Sequence, residues 1–240
     1  MPLILALDTS HMKGSVAVAR GDELLCEILF DASDTHSATL MPAVDACLYT
    51  AGVGLAEIDR FAIVSGPGSF TGLRIGLATV KAFAAVGRRP VVPVPSVMVL
   101  ASAFPFCGIP VLPLIDARRG EVYGGLYATP NGFPEEILAP FSAKPASVGK
   151  VIADAGVTGP VVACGTGLER YREQLSSVLD RVSRFAHSRW SIPSASLLAV
   201  LSLRLEPVPY DRLPALEPLY IRPPDARLPA DTKLGEGGGK

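Results

Sequence analysis

Ser65-Gly66-Pro67-Gly68-Ser69-Phe70-Thr71-Gly72-Leu73-Arg74-Ile75-Gly76 joins a strand pattern to a helix pattern. The run Arg60–Val64 precedes it, and apolar residues follow it at helical spacing through Val86. The Gly-Pro-Gly turn between the two can reach positive φ and admit close backbone contacts. Ser69 is placed to cap the helix. Such a turn leaves N–H groups directed outward, which suits an anion or a polar group of a partner.

Two glycines continue inside the predicted helix, one turn apart on the same side. Gly72 and Gly76 each cost about 1 kcal/mol relative to alanine in a helix interior. A helix side that accepts this cost is usually packed closely against something. Thr79 and Phe83 extend that side, whereas another side can pack on the protein's own sheet and consists of Phe70, Leu73, Leu77 and Val80.

The turn does not match the common nucleotide or hydrolase motifs. A P-loop needs a Gly-Lys pair that is absent after Gly66 and Gly68. The glycines at 66, 68 and 72 are one residue too wide for the dinucleotide fingerprint. The serine-hydrolase elbow is not formed either, and the motif offers Ser69 and Thr71 no general base. The residues therefore predict a strand–turn–helix junction without chemistry of its own.

The same motif resembles the signature of the TsaB (YeaZ) family, the non-catalytic relatives of the TsaD proteins. Three further segments agree with that family in the same order. They are Leu7-Asp8-Thr9-Ser10, then His36-Ser37 followed by Leu40 and Pro42, and finally Asp116-Ala117-Arg118-Arg119-Gly120-Glu121-Val122-Tyr123. Together the four segments span most of the first half of the chain, and the glycine motif and the Asp-Ala-Arg-Arg segment are the specific ones.

The resemblance implies an α/β fold of two lobes around a cleft, of the actin, hexokinase and Hsp70 (ASKHA) type. It also implies a subunit that is not an enzyme by itself. Such a subunit pairs with a TsaD protein in forming N6-threonylcarbamoyladenosine at position 37 of tRNAs that read ANN codons. A TsaE-type ATPase binds that pair, and tRNA is contacted only through the complex. The isolated subunit forms a homodimer through the same surface in some members.

The family's partner surface is a bundle of the first two helices with the equivalent two of TsaD. Carried over to this chain, and combined with the glycine side of the second helix, it predicts a specific set of partner-binding residues. That set is Leu40, Val44, Gly72, Gly76, Thr79 and Phe83.

An active small-molecule kinase or ATPase of the same superfamily is the alternative function. Phosphoryl transfer needs a phosphate cradle, a metal-binding acid and a base. The sequence offers acids at two strand ends, Asp8 and Asp116, with Arg118 beside the second. Gly165 and Gly167 form a Gly-x-Gly turn where superfamily members contact adenosine. Each has a simpler explanation, since an Asp caps turns and a Gly-x-Gly turn starts helices. We therefore expect no cofactor, with a degenerate ATP or ADP site as the alternative.

Metal binding is not expected. The catalytic TsaD relatives carry two metal-ligating histidines on the first helix, where this chain has only His36. A catalytic metal site needs about three protein ligands, and a hydrogen bond at the helix start is the better interpretation. Cys26, Cys47, Cys107 and Cys164 are widely spaced, which predicts free thiols in a reducing compartment.

Composition favours a cytoplasmic protein. The 240 residues are 49% hydrophobic with a net charge of −1, and neither half has the basic excess of a stand-alone nucleic-acid binder. No secretory signal is expected after Met1. The uncharged run Val91–Ile115 is long enough to span a membrane, but its five prolines predict a buried strand, helix, loop and strand instead.

The element pattern predicts two lobes. Three strands, a helix, a strand, a helix, a strand and a helix fill residues 1–105, the N-terminal lobe with the partner-binding helices. A strand–acid–turn–strand pattern begins again at Val111, so residues 106–225 form the C-terminal lobe. The helix at residues 194–205 can pack on either lobe, and residues 226–240 read as a disordered tail.

Overall fold

The computed structural model describes residues 1–31, 36–179 and 183–221, apart from the side chains of residues 36 and 37. Its strands form two five-stranded sheets, one from each half of the chain. The predicted tail at 226–240 lies outside the described residues, as does the side chain of His36, so the hydrogen bond proposed for it is not described.

The first lobe is built on a mixed sheet with the strand order β3-β2-β1-β4-β5. The first two strand pairs are antiparallel, and β4 and β5 continue the sheet in parallel. Its elements are β1 (Leu3–Asp8), β2 (Lys13–Arg20), β3 (Glu23–Asp31), α1 (His36–Ala51), β4 (Arg60–Gly66), α2 (Phe70–Gly87), β5 (Val91–Pro95) and α3 (Ser96–Ala101).

Both faces of this sheet are covered because β1 is apolar at every position before Asp8. Leu3, Leu5 and Leu7 face a core shared with α1 and α2. Ile4 and Ala6 face a second core on the opposite side. All six β1 residues are buried, as the uninterrupted apolar run predicts.

The second lobe repeats the arrangement of the first. Its sheet order is β10-β9-β6-β7-β8, with β6 antiparallel to β7 and parallel to β9. Its elements are β6 (Val111–Asp116), β7 (Val122–Ala128), β8 (Glu135–Ala143), α4 (Val148–Asp154), β9 (Val162–Cys164), α5 (Thr166–Arg170), α6 (Arg172–Val178) and β10 (Arg184–Phe185). With β6 in the place of β1, the two strand orders are identical, and the predicted ASKHA-type fold is confirmed.

The chain returns to the first lobe after β10. The helix α7 (Ala195–Ser202) packs on β1, β2, β4 and β5 and supplies Leu198 and Leu201 to the second core of that lobe. Its N-terminus is held by Glu27 of β3, which accepts hydrogen bonds from Ser194 Oγ at 2.7 Å and Ser196 N at 3.0 Å. A carboxylate at a helix N-terminus is favourable.

The uncharged run Val91–Ile115 forms β5, α3, a loop and β6, as its prolines predict. One helix among the described residues, α2, has the length and apolar composition that would allow it to cross a membrane, and 33% of it is buried. The segment that follows the Gly-x-Gly turn forms two helices, α5 and α6, which meet at Tyr171.

Candidate functional site

The glycine turn rests on the loop that follows β1. Ser69 caps α2 as predicted, because its Oγ accepts a hydrogen bond from Gly72 N at 3.3 Å. Ser69 N donates to the carbonyl of Ser10 at 2.7 Å. A Cβ on Gly68 would collide with the same carbonyl. The N–H groups of Ser69 and Gly72 are thus used inside the lobe and are not available to an anion.

The glycine side of α2 faces its own lobe. Thr9 Oγ1 donates to the Gly72 carbonyl at 2.8 Å. A Cβ on Gly76 would collide with Thr9 Oγ1 and lie 3.1 Å from Ile63 Cδ1. Both glycines are buried. The close packing inferred from them exists, and it is packing on Thr9, which follows β1, and on Ile63 of β4. The role of the two glycines at a partner interface stays a prediction.

Leu40 and Val44 are also turned inward. Each is 1% exposed and lies in the core between α1, α2 and the sheet. These two side chains pack on their own sheet, and their role at a partner interface stays a prediction. Thr79 and Phe83 are half-buried on the flank of α2. Thr79 Oγ1 donates to the Ile75 carbonyl at 2.8 Å, and the Phe83 ring lies 6.0 Å from that of Phe61. Their role at an interface stays a prediction.

The outward sides of α1 and α2 carry a different set of residues. On α1, Met41 is 41% exposed and Tyr49 is 89% exposed, and on α2 Val86 is 73% exposed. Four exposed alanines accompany them at Ala46, Ala78, Ala82 and Ala85. We name these seven residues the α1–α2 outer face. These seven side chains are small or apolar, and the exposed charged residues Asp45 and Arg74 lie one helical turn from them.

Asp8 is a fully buried carboxylate at the carboxyl end of β1. Its Oδ1 accepts hydrogen bonds from Ser10 N at 2.8 Å and Ser10 Oγ at 2.6 Å, and Ser10 Oγ also contacts His11 Nδ1 at 2.7 Å. Asp8 Oδ2 has no hydrogen-bond partner. Burial raises the pKa of Asp8 to about 6, partly offset by the two Ser10 hydrogen bonds, and lowers the pKa of His11 to about 4. The Ser10 contacts form the turn-capping arrangement that a strand-end Asp often makes.

Asp116 occupies the equivalent position at the end of β6. Its Oδ1 accepts from Arg118 N at 2.9 Å and from the Tyr171 hydroxyl at 3.2 Å. Its Oδ2 lies 3.4 Å from Arg170 Nη1. Asp116 N donates to Thr166 Oγ1 at 3.1 Å, which ties this strand end to the start of α5. The Asp116 carboxylate is therefore contacted by three residues of its own lobe, Arg118, Tyr171 and Arg170.

The remaining cleft candidates, Gly165, Gly167 and Arg118, lie in turns or at the start of α5 in the second lobe. Gly165 has φ of 99° and Gly167 follows it, and a Cβ on either would press against the backbone of Leu114. The Gly-x-Gly turn thus packs α5 onto β6. Arg118 is exposed and adopts φ of 59° in the turn between β6 and β7. The structure brings Asp116, Arg118 and the Gly-x-Gly turn together, while Asp8 belongs to the other lobe.

A C-terminal strap over the glycine motif was not predicted. We define it as residues 216–221. Leu219 N donates to the Ser65 carbonyl at 2.7 Å, and Leu219 O lies only 2.8 Å from the position that a Cβ of Gly66 would take. The Tyr220 ring stacks on Phe70 at 5.3 Å, and its hydroxyl accepts from Arg74 Nε at 3.1 Å. The strap borders a groove of about 610 Å³ at the ends of β4 and β5, lined by Ser65, Pro93, Pro95 and residues 216–220.

Comparison with known proteins agrees with the motif. The family model for TsaD, tRNA N6-adenosine threonylcarbamoyltransferase, matches residues 30–189, more than half of the chain. The TsaB protein of Bacillus subtilis is 36% identical over 136 residues, which are 56% of this chain and 59% of that protein. The TsaB protein of Haemophilus influenzae is 38% identical over 123 residues, 50% of this chain and 51% of that protein. The chain thus spans about half the length of the curated relatives it matches.

A solved structure extends the similarity over nearly the whole chain. YeaZ from Pseudomonas aeruginosa is 30% identical, covers 92% of this chain and 100% of its own, and superposes with a TM-score of 0.75. Sequence motif, repeated sheet order and these relatives lead to one family. The chain belongs to the TsaB (YeaZ) family.

Proposed function

We propose that the protein is a non-catalytic subunit that pairs with a TsaD-type protein in forming N6-threonylcarbamoyladenosine at position 37 of tRNAs reading ANN codons. Family membership supports this role, since the curated relatives carry names from that pathway. The observation that carries the pairing is the α1–α2 outer face. A helix as apolar as α2 with only 33% of its length buried leaves apolar surface that a partner would cover.

The proposal that the chain lacks catalytic activity rests on its two strand-end acids. Asp8 is fully buried and directs one oxygen to Ser10, and Asp116 is engaged by Arg118, Tyr171 and Arg170. Acids that serve their own turns are poorly placed to hold a metal-bound phosphate. We propose no resident cofactor on the same basis, and we propose a cytoplasmic location from the role in tRNA modification. A TsaE-type ATPase that joins the pair, and a homodimer through the outer face when the partner is absent, belong to the same proposal.

The partner contact is assigned to the outer face and not to the glycines. Helix pairs from two chains can pack closely where alanines leave room, and α1 and α2 both pack on the same side of the first sheet. Thr79 and Phe83 border this face. Met41, Tyr49 and Val86 supply the larger apolar side chains, which carry most of the energy in typical interfaces.

The pathway assignment is tested by depletion of the protein in its own cell. We expect threonylcarbamoyl-adenosine in digested tRNA to fall, while synthesis of threonylcarbamoyl-adenylate continues. Co-purification should recover a TsaD-type protein. Unchanged modification after full depletion would exclude this role.

The absence of catalysis is tested separately on the isolated chain. We expect no magnesium-dependent ATP hydrolysis above background. Hydrolysis that is abolished by Asp8→Ala or by Asp116→Ala would show an active site and contradict the non-catalytic role.

A further inference from the structure

Two cysteines of the first lobe lie side by side in its core. Cys47 of α1 is fully buried, and Cys26 of β3 is partly buried and packs against the same core cluster. Cys47 Sγ donates to the carbonyl oxygen of Cys26 at 3.5 Å and to that of Val16 at 3.8 Å. The two cysteines are 21 positions apart in sequence, so the fold, and not the local chain, brings them together.

The side chains of this pair also face each other. Burial raises the pKa of the Cys47 thiol, and a hydrogen bond between its side chain and that of Cys26 raises it further. A disulfide requires two neighbouring cysteines whose Cβ atoms are directed toward each other. Side chains that already meet inside one core satisfy this requirement without a change of fold.

The elements that carry the pair leave room for a small adjustment. β3 is the edge strand of the first sheet, and α1 packs on β2 and β3. Cys26 is opposite Val18 of β2, beside the register shift between Val18 and Ala19. An irregular edge strand can bend locally more easily than a regular central strand. The partly exposed Cys26 also gives a small reagent in solvent access to the pair.

The other two cysteines provide an internal comparison. Cys164 is buried and Cys107 is partly buried, and both belong to the core cluster around α3, β6 and β7. Burial alone raises the pKa of Cys164, whereas the pKa of Cys47 also depends on a neighbouring thiol. The two pairs are therefore alike in burial, and they differ in the contact between their side chains.

We propose that Cys26 and Cys47 are a peroxide-responsive thiol pair that closes to a reversible disulfide between β3 and α1. The proposal goes beyond the proposed function and does not depend on it. In the first step the Cys26 sulfur attacks one oxygen of hydrogen peroxide and the O–O bond breaks. The other oxygen leaves as water with the Cys26 proton, and Cys26 becomes a sulfenic acid.

In the second step the Cys47 sulfur attacks the Cys26 sulfur. The S–O bond of the sulfenic acid breaks, and its hydroxyl group leaves as water with the Cys47 proton. The two thiols together have then given two electrons to the peroxide. A dithiol reductant reverses the link, because one of its thiolates attacks the partly exposed Cys26 sulfur and releases Cys47, and its second thiol then releases Cys26.

The difference in exposure sets the order of the two steps. The partly exposed Cys26 meets the peroxide first, whereas burial shields Cys47 and keeps it a thiol. A thiol with a raised pKa is a weak nucleophile in solution. Cys47 does not have to diffuse to its target, however, because it is held against Cys26, and this proximity offsets its low thiolate fraction.

The test is peptide mapping of the full chain by mass spectrometry under non-reducing conditions, after treatment with hydrogen peroxide at neutral pH. We expect a peptide pair linked through Cys26 and Cys47, lighter by two hydrogens than the separate peptides, and its loss after dithiothreitol is added. Cys107 and Cys164 are the matched control pair and should stay unlinked. Equal yields of the two links would overturn the proposal, as would oxidation of Cys26 to a sulfinic acid with no link to Cys47.

A substitution at the second position supplies an independent readout. Cys47→Ser leaves the Cys26 sulfenic acid without its partner, so labelling of Cys26 by dimedone after peroxide treatment should rise severalfold above wild type. Cys164→Ser makes the same substitution at another buried cysteine, and its Cys26 labelling should equal that of wild type. Circular dichroism establishes that both variants are folded, and Cys47→Ala replaces Cys47→Ser if the hydroxyl group disrupts the core. Equal labelling of Cys26 in all these proteins would overturn the proposal.

Discussion

The carboxyl group of Asp8 is buried, so that water solvates it poorly. Its folded pKa of about 6 lies above the ordinary value of 3.8 because burial disfavours the charged form. The folded state therefore binds the proton more tightly than the unfolded state. The resulting stability is fully present below pH 3.8 and is lost as the pH rises through 6. At neutral pH the ionised carboxylate reduces the free energy of unfolding.

Asp8→Asn should stabilise the protein at pH 8, since it removes the buried charge and keeps an acceptor for Ser10. The two pKa values correspond to at most about 3 kcal/mol. We expect a higher Tm than wild type at pH 8 and a gain that shrinks toward pH 4.5. Asp45→Asn is the matched control, because it makes the same substitution at an exposed carboxylate. Thermal denaturation across this range measures it, and a variant less stable at pH 8 would refute the assignment.

A substitution at Gly76 tests whether the glycine side of α2 packs against its own lobe. Gly76→Leu should lower the free energy of unfolding by about 3 kcal/mol, because its side chain would enter the space of Thr9 and Ile63. Gly159→Leu is the matched control, since nothing lies within 4 Å of a Cβ there. Urea titrations compare the two. A Gly76 variant as stable as the control would return this side of α2 to the list of partner contacts.

At the scale of residues, the sequence predicted which residues cap a helix or pack closely better than it predicted which neighbours they contact. The Ser69 cap and the close packing of Gly72 and Gly76 follow from local chemistry. The side of the helix that the glycines face does not follow from local chemistry. The buried side of α2 contains residues from both of the sides that the spacing predicted, the glycine side and the apolar side. Gly72, Leu73, Gly76, Leu77, Val80 and Ala84 are all buried. Helical periodicity separates sides of a helix but does not tell which neighbour each side meets.

At the scale of elements, the α1–α2 outer face gives the sharpest test of the partner surface. Ala82→Arg should leave the fold intact, because Ala82 is exposed on α2. It should weaken association with a TsaD-type protein by about ten- to a hundredfold, since an oversized side chain costs roughly 1–3 kcal/mol in a packed contact.

Ala153→Arg is the control for this change, because Ala153 is an exposed alanine on α4 of the second lobe. It should bind the partner like wild type. Circular dichroism establishes that both variants are folded, and calorimetric titration measures their affinity. Equal affinities for the two variants would remove Ala82 from the interface.

The elements that the sequence missed are edge strands and irregular chain. β8 contains Pro140 and is half-buried or exposed throughout, so it lacks the apolar alternation of a strand. β10 is only two residues long. The strap has no periodicity, and its contacts depend on Ser65 and Phe70, which are distant in sequence. Strong periodicity identified β1, α1, β4 and α2, whereas pairing between distant segments could not be read from one sequence.

At the scale of the whole molecule, the first lobe depends on residues that come after the second. α7 covers the sheet face formed by Ile4, Ala6, Ala17, Val92 and Val94. A lobe boundary near residue 105 therefore remains a prediction about where the chain crosses over, and it does not define a fragment that can bury its own core.

A fragment of residues 1–110 should fail to fold, because this face would be exposed. A second fragment that joins residues 1–110 to 186–221 through a short Gly/Ser linker should recover the fold. Val111 and Arg184 are both in register with Val162, so these two residues lie about 10 Å apart. Pro110 and Ala186 are offset by three further residues along the strands, so the ends to be joined lie about 14 Å apart. Dispersion of amide NMR signals distinguishes the two fragments. A folded 1–110 fragment would show that α7 is dispensable.

The return of the chain to the first lobe has a mechanical consequence. The lobes are joined by two covalent crossings, one before β6 and one after β10, with α3 packed against strands of both sheets. A single linker would allow the lobes to swing and twist freely. Two crossings side by side leave the lobes free to rotate about the line that joins the crossings. They resist twisting of one lobe relative to the other.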